Sequence, residues 1–312
     1  MENQVLREAI IRTLAFHASW SYAPTYIQLL LSLDYGVNES QDTRVSKLNL
    51  EDVLKVLVQE DLVVKQQGRF ALNRFSYLME QGKEKEIYNS RKMRKAKRVV
   101  WYLKKIPWIK SVCLCNTTAL GQSKETSDLD FFIITKPGYI WITRFFAALP
   151  FVIFKMRPED PGIKDPVCLS FFVTQNGLDL SKLMLEDDPY FRYWFLFLLP
   201  LYDDGVLAEL WFANVNILKR HANAIPWISL DKTAGDKSNS QESKSSNEEI
   251  SFLEKKFKII QQNRLPSQIN KQANQSTDVV ISDNVLKFHT TDARRPIRDS
   301  YYKICNEFNV QP

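Results

Sequence analysis

The stretch TTALGQSKETSDLDFFIIT, residues 117–135, sets two aspartates one residue apart at the head of an unbroken apolar run. Few features limit a chain's options so sharply. A carboxylate in apolar surroundings is costly to desolvate, and two side by side repel each other. Asp128 and Asp130 must therefore lie where a strand meets water, or hold a positive charge between them. Side chains alternate along a strand, so the two share one face. The pattern predicts a strand over Asp128–Thr135, a preceding strand over Ile109–Cys115, and a glycine-containing loop over Asn116–Thr126 between them.

Two carboxylates held together at a strand end make a hard-cation site suited to Mg²⁺ (or Mn²⁺) with oxygen ligands. Phosphoryl and nucleotidyl transfer use such ions to bridge a triphosphate and neutralise developing charge. In the loop, Gly121 and the hydroxyls of Thr117, Thr118, Ser123 and Ser127 let backbone N–H groups and side chains approach a phosphate. A lone D-x-D is common, and its bland reading is a strand end with two solvated acids. The assembly of strand, small-residue loop, S-D-x-D and apolar strand is what gives it weight.

The rest of the chain narrows the choices. Its 312 residues suffice for two or three modest domains, and 45% apolar with 25% charged residues fits a globular protein. The four cysteines form no CxxC pair and the three histidines are far apart, which argues against a His/Cys metal site and for a reducing, cytoplasmic setting. The first ten residues, MENQVLREAI, read as polar helix without a signal-peptide core. Two apolar runs, Phe145–Phe154 and Tyr193–Leu201, are half the ~20 residues that a spanning helix needs. Both read as buried helices, with no membrane span.

Helical spacing of Leu6, Ile10 and Leu14 opens the chain. Thr25 is placed to cap a short helix, and Asn49 to cap another that carries Leu50, Val53, Leu54 and Leu57. DLVVKQQGRFAL then reads as two strands turning at Gly68. Three helices followed by a hairpin is a winged-helix-like order. Between Lys83 and Lys110 eleven Lys/Arg face two Glu, a local net of +9, so the remainder sums to −3 within a total of +6. That basic helix, ending before Pro107, is either a solvated face or a contact for phosphate or nucleic acid. A helix over Trp141–Lys155, a strand VCLSFFVT and aromatic-rich helices over 189–221 follow. Residues 231–247 are too polar to order themselves. Beyond them come a helix over Phe252–Gln261, a strand at DVVISD and a basic tail.

The sequence resembles the DNA polymerase beta-like nucleotidyltransferase superfamily. The resemblance rests on KKIPWIKSVCLCNTTALGQSKETSDLDFFIITKPGYIW, VCLSFFVTQNGLDLSKL, DDPYFRYW with LPLYD, and ISDNVLKFHTTDAR, and spans most of the chain apart from the Ser-rich insert. It is especially similar to uncharacterised bacterial nucleotidyltransferase domain-containing proteins with an N-terminal winged-helix-like segment. It implies an α/β (α+β) fold: a winged-helix-like module (1–78), a basic connecting helix (79–106), and a small mixed-sheet nucleotidyltransferase domain with a helical extension (107–228). A disordered Ser/Lys/Glu-rich linker (229–250) and a C-terminal helix, short strand and basic tail (251–312) complete it. Asp128 and Asp130 become the metal-binding, catalytic pair. Asn116-Thr117 takes the place of the superfamily's G-[GS], which contacts phosphates; the substitution departs from the pattern, although Asn tolerates left-handed backbone. The superfamily's third carboxylate comes from a neighbouring strand, here VCLSFFVT, where the nearest position is Ser170 and the nearest acids, Asp165 and Asp179, only flank it.

The implied activity is Mg²⁺-dependent transfer of a nucleoside monophosphate from a nucleoside triphosphate to a hydroxyl of unidentified acceptor. One alternative is nucleotide binding without catalysis, as a sensor or antitoxin-like partner. Another is a winged-helix DNA-binding regulator, disfavoured because NLEDVLKVLVQEDL is acidic and phosphate would repel it. In the tail, His289, Arg294 and Arg295 are candidate phosphate contacts, since Arg offers bidentate bonds. Tyr190, Tyr193, Trp194 and Phe195 read as core before a base-stacking platform, His17 and His221 as packing or surface residues, and Cys113 and Cys115 as small apolar fillers.

Overall fold

The structure is a computed structural model that describes residues 2–36, 47–80, 82–160, 162–227 and 244–312. The polar loop expected before Asn49 and most of the expected linker, up to residue 243, lie outside the described residues. The chain begins with α1 (Glu2–Ser19), α2 (Tyr26–Leu31) and α3 (Lys47–Gln59), followed by β1 (Val63–Gln66) and β2 (Arg69–Leu72). Thr25 caps α2 as expected, with Gln28 reaching back to the Thr25 amide in a capping box. Asn49, in contrast, lies inside α3, which starts two residues earlier. The β1–β2 turn places Gln67 and Gly68 both at positive φ, 51° and 74°, the conformation that a two-residue hairpin needs.

After a 3-10 turn (Asn73–Met79), the basic segment forms α4 (Gly82–Leu103). Then come β3 (Ile109–Leu114), α5 (Asn116–Ala119), β4 (Leu129–Thr135), α6 (Ile140–Ile153), β5 (Val167–Thr174), α7 (Pro189–Leu196), β6 (Leu199–Asp203) and α8 (Leu207–Ala213). The last elements are α9 (Lys244–Gln262), α10 (Ser267–Gln272), β7 (Val279–Ile281), β8 (Val285–Phe288) and α11 (Arg294–Glu307). The main sheet is mixed, in the order β6-β3-β4-β5-β8-β7. β3 and β4 are antiparallel, β4 and β5 are parallel through the α6 crossover, and β5 and β8 are antiparallel.

Three expectations are corrected here. The stretch 189–221 is not wholly helical: LPLYD is β6, and its Pro200 is tolerated because the strand lies at the sheet edge. The basic tail is not an appendage, since it supplies β8, paired with β5, and then α11. Helix α9 begins at Lys244, so the end of the expected linker is helical.

Alternation along β4 divides its side chains between two cores. Phe132 and Ile134 meet Phe171, Phe191, Trp194 and Phe195 on one face. Leu129, Phe131 and Ile133 meet Val99, Leu103, Ile140 and Trp141 on the other. A third core joins α1, α3 and the hairpin to Tyr193 and to Tyr301 and Ile304 of α11, so the two ends of the chain close on each other. Among the described residues no helix is long and apolar enough to cross a membrane.

A buried polar cluster stitches α1 to the segment after α8. Asp34 accepts from Arg220 Nε at 2.7 Å and from the Gly36 amide at 3.0 Å, and Arg12 Nη1 donates to the Asp34 carbonyl at 2.6 Å. Burial pushes the Asp34 carboxyl up, but Arg220, His221, Arg192 and Arg12 outweigh it and hold the group at about 2. Burial first, and then neighbouring charge, drives His17 down to about 3; burial likewise takes His221 down to about 4. Both imidazoles are therefore neutral in the fold and protonate near pH 6.5 once unfolded. Stability is fully present above pH 6.5, and acidification below it removes about 1.4 kcal/mol per histidine per pH unit until the folded values are reached. Urea unfolding between pH 7.5 and pH 5 reads this slope, and His17→Gln flattens it. Independently, Asp34→Ala leaves buried Arg220 without its carboxylate and lowers stability by about 3–5 kcal/mol at pH 7.

Candidate functional site

β3 ends beside the start of β4, where the Cys115 amide donates to the Asp130 carbonyl at 3.0 Å. The next residue, Asn116, has φ +58°, a left-handed turn in the place where the resemblance expects glycine. Asn adopts that region more readily than most L residues. Its side chain faces the aspartates: the amide bonds the Asp130 carboxylate, and Tyr190 Oη donates to Asn116 Oδ1 at 3.0 Å. Tyr190, read from the sequence as core, thus orients a site residue.

Asp128 immediately precedes β4 and Asp130 is its second residue, the more enclosed of the two. Burial raises the Asp128 carboxyl, and the Asp130 charge raises it further. Burial also raises Asp130, against the bonds from Asn116 and the Cys168 thiol. Lys92 lowers both. Exposed Glu159, which the sequence reading passed over, is a further negative charge felt at Asp128.

The loop ahead of Asp128 is held from α4. Asn89 donates to the Gly121 carbonyl and accepts from the Ser123 amide at 2.8 Å. Ser123 Oγ donates to Thr118 Oγ1 at 3.0 Å, and Ser127 Oγ donates to the Lys124 carbonyl at 2.9 Å. The hydroxyls of Ser123 and Ser127, expected to meet a nucleotide, are thus engaged within the loop; Ser123 is wholly buried. Thr117 contributes its carbonyl to the Gln122 amide at 2.8 Å. Gly121, at φ +70°, makes the turn that returns the chain towards Asp128.

Lys92 is the group under this loop that the sequence concealed. Fully buried, it donates to the carbonyls of Ser127 and Glu125 and to Asp165 Oδ1, the last at 2.6 Å. Arg91 closes the other side of Asp165 with two bonds of 2.8 Å. Burial pushes the Asp165 carboxyl up, but its bonds to Arg91 and Lys92 prevail and hold it below the ordinary range. Asp165 is therefore an anchor for α4, not a spare third carboxylate. Asp179 is exposed and caps its own turn through the Ser181 amide at 3.1 Å, on a groove shared with Asn274 and Thr277. Neither flanking acid joins the pair. Among the described residues no three His, Cys, Asp or Glu side chains converge as a metal set.

On β5, Cys168 is the register partner of Asp130, and two residues on stands Ser170. The Cys168 thiol lies 3.2 Å from Ser170 Oγ, which lies 3.1 Å from His289 Nε2. A cavity of about 210 Å³ opens here, floored by Phe171, Phe191 and Trp194, with Asp130 and Asn116 on one side and Lys287, His289 and Asp292 on the other. Burial, then the charges of Lys287 and Arg294, lowers His289 to about 3, and burial lowers Lys287 to about 8.

Arg294 lines the same cavity, but all five of its N–H groups have protein acceptors. Nε meets Asp292 at 2.9 Å, Nη1 meets the Leu183 carbonyl at 2.8 Å and Asp188 at 3.3 Å, and Nη2 meets Thr277 at 2.9 Å and Asp278. These bonds lock the start of α7 to the β8–α11 corner. Arg295 is half-exposed, 3.7 Å from Asp292. Comparison with protein-family models, with curated proteins and with solved structures found no match to this chain.

Lys92→Met removes the ammonium while keeping the stem's volume. It leaves two carbonyls and half of Asp165 without a donor, and it lowers stability by about 3–5 kcal/mol in urea unfolding. Asp165→Asn in the same chain restores part of that loss, so a double-mutant cycle gives a coupling of about 1–3 kcal/mol. Additive losses would show that the pair is not the anchor.

Proposed function

We propose that this chain is a DNA polymerase beta-like nucleotidyltransferase that binds a nucleoside triphosphate with Mg²⁺ (or Mn²⁺) at Asp128 and Asp130. The observation that carries the reading is the partnership of these two carboxylates. They stand two residues apart where β4 begins, each raised by burial and Asp128 further by the Asp130 charge, after a left-handed turn at Asn116 that follows the neighbouring antiparallel strand. A pair of like charges in that position gains most from a hard divalent cation. When bound, such an ion supplies charge neutralisation to the triphosphate and the departing pyrophosphate.

The chain's own groups position the pair. Tyr190 fixes Asn116, Asn116 holds the Asp130 carboxylate, and Lys92 holds the Ser127 carbonyl one residue before Asp128. The cavity next to Asp130 offers a floor of aromatic rings for a ring-bearing portion of substrate or acceptor. The N-terminal module, winged-helix-like in its order of elements, is best read as a packing partner of α11. Its α3 exposes Glu51 and Asp52, which disfavours a duplex contact.

A second reading, nucleotide binding with slow or no transfer, is favoured by one feature. The position opposite Asp130 on β5 carries Cys168 and Ser170 in place of an acid, and Asp165 is closed by Arg91 and Lys92. General-base help for the attacking hydroxyl is then weak, because a neutral His289 lowered to about 3 is a poor base.

Incubation with α-labelled nucleoside triphosphates, Mn²⁺ and a cell extract tests both. The wild type transfers label, and Asp128→Asn and Asp130→Asn each abolish it and weaken Mn²⁺ binding, followed by electron paramagnetic resonance, by about tenfold or more. Transfer that survives both substitutions overturns the assignment. Mn²⁺–nucleotide binding without transfer selects the second reading.

A further inference from the structure

The apolar run Phe145–Phe154 reads from the sequence as a buried helix, yet the C-terminal end of α6 is bare. Val152, Ile153 and Phe154 are 50%, 63% and 70% exposed, and Leu149 and Phe146, about one and two turns earlier, are also partly exposed. Folded proteins rarely present three consecutive large apolar side chains to water unless something covers them. Alongside runs α4: Tyr102 packs edge-on to Phe151 and donates to the Phe146 carbonyl at 2.7 Å, while Arg98, Val99 and Tyr102 share a groove with Pro150, Phe151 and Met156. The outer face of α4 carries exposed Arg94, Lys97 and Arg98 and Trp101, which is 60% exposed; just past the helix end, exposed Lys105 holds its ammonium 3.2 Å from the Trp101 ring. Exposed Lys155 follows Phe154 directly. Among the described acids nearby, Glu159 is paired with Arg157 and Asp165 with Arg91 and Lys92.

We propose that this face docks on an anionic lipid surface, with Ile153 and Phe154 inserted among the acyl chains and the α4 cations at the headgroups. Charge complementarity favours that occupant: the bare apolar end of α6 adjoins a helix that exposes Arg94, Lys97 and Arg98, with Lys155 next to Phe154, the combination that suits an anionic interface wet on one side and apolar on the other. A second copy of this chain fits poorly, because a symmetric contact would bring the two basic faces together. The association is peripheral and involves no spanning helix. It does not depend on the nucleotide site.

Flotation of the full chain with vesicles tests it. The protein is expected to float with phosphatidylcholine vesicles that contain phosphatidylserine, and not with phosphatidylcholine alone. Replacing Ile153 and Phe154 by Ser lowers that affinity by about tenfold or more. Lys97→Gln and Lys105→Gln each lower it by about fivefold. All four positions are exposed, so the variants keep the wild-type thermal midpoint. Failure of the wild type to float with anionic vesicles overturns the proposal, as does flotation that neither set of variants changes. A wild type that stays unbound but sediments as a dimer broken by Phe154→Ser assigns the face to a second copy and likewise overturns it.

Discussion

The buried ammonium of Lys92 is the constraint on which the centre of this molecule depends. An unpaired lysine in a fully enclosed position is expensive, and the protein meets that cost with a carboxylate and two carbonyls brought from distant parts of the chain. The same three bonds fix the height of residues 125–127 against α4 and so the place where Asp128 begins β4. Arg91 and Lys95 continue the tie, the latter through the Lys164 carbonyl at 2.9 Å. The inner side of the basic helix is therefore structural, and only its outer side is open to partners.

A comparable economy governs the C-terminal segment. Arg294 gathers Asp188 from α7, Asp278 ahead of β7 and Asp292 at the start of α11, so one guanidinium sets the angle between three elements. Because β8 pairs with β5, that corner also forms the far wall of the cavity beside Asp130. The region last made in the chain is thus required for the shape of a site whose acids lie near its middle. The Asp34 cluster performs the same service for the N-terminal module, and Phe16 stacked on Tyr193 at 3.7 Å joins that cluster to α7.

What was legible from sequence had a local cause. The helix cap at Thr25, the turn at Gly68 and the apolar runs of β4 and β5 each depend on residues within a few positions of one another. Asn116 as a left-handed turn was legible too, since its backbone preference is intrinsic. The failures share a different cause. β6 is five residues with a proline, and only its place at the sheet edge makes it a strand. Arg294 and Lys92 look like surface charge until their acceptors, as many as 111 residues away, are in view. Asp165 could be placed near the pair by sequence, but whether it faced the site or two cations on α4 was not a local question.

On the proposed nucleotidyltransferase reading, Ser170 stands where a third carboxylate is expected, and the difference can be weighed by charge. A carboxylate in place of Ser170 would add a repulsion of about 4 kcal/mol at 4 Å, at an effective dielectric of 20, to a pair already raised by burial. It would also place an acceptor beside His289, which now has a serine hydroxyl at 3.1 Å. With Cys168 and Ser170 there instead, the two aspartates, once both ionised, would balance the charge of the one divalent ion proposed here. On this reading the charge of an arriving triphosphate must then be met by Lys287, whose Nζ already donates to the Thr277 carbonyl at 2.5 Å, and by loop amides. On the proposed reading, such a site would be better matched to holding one metal–nucleotide complex than to organising a second metal, and catalysis by it would rest on orientation more than on proton abstraction.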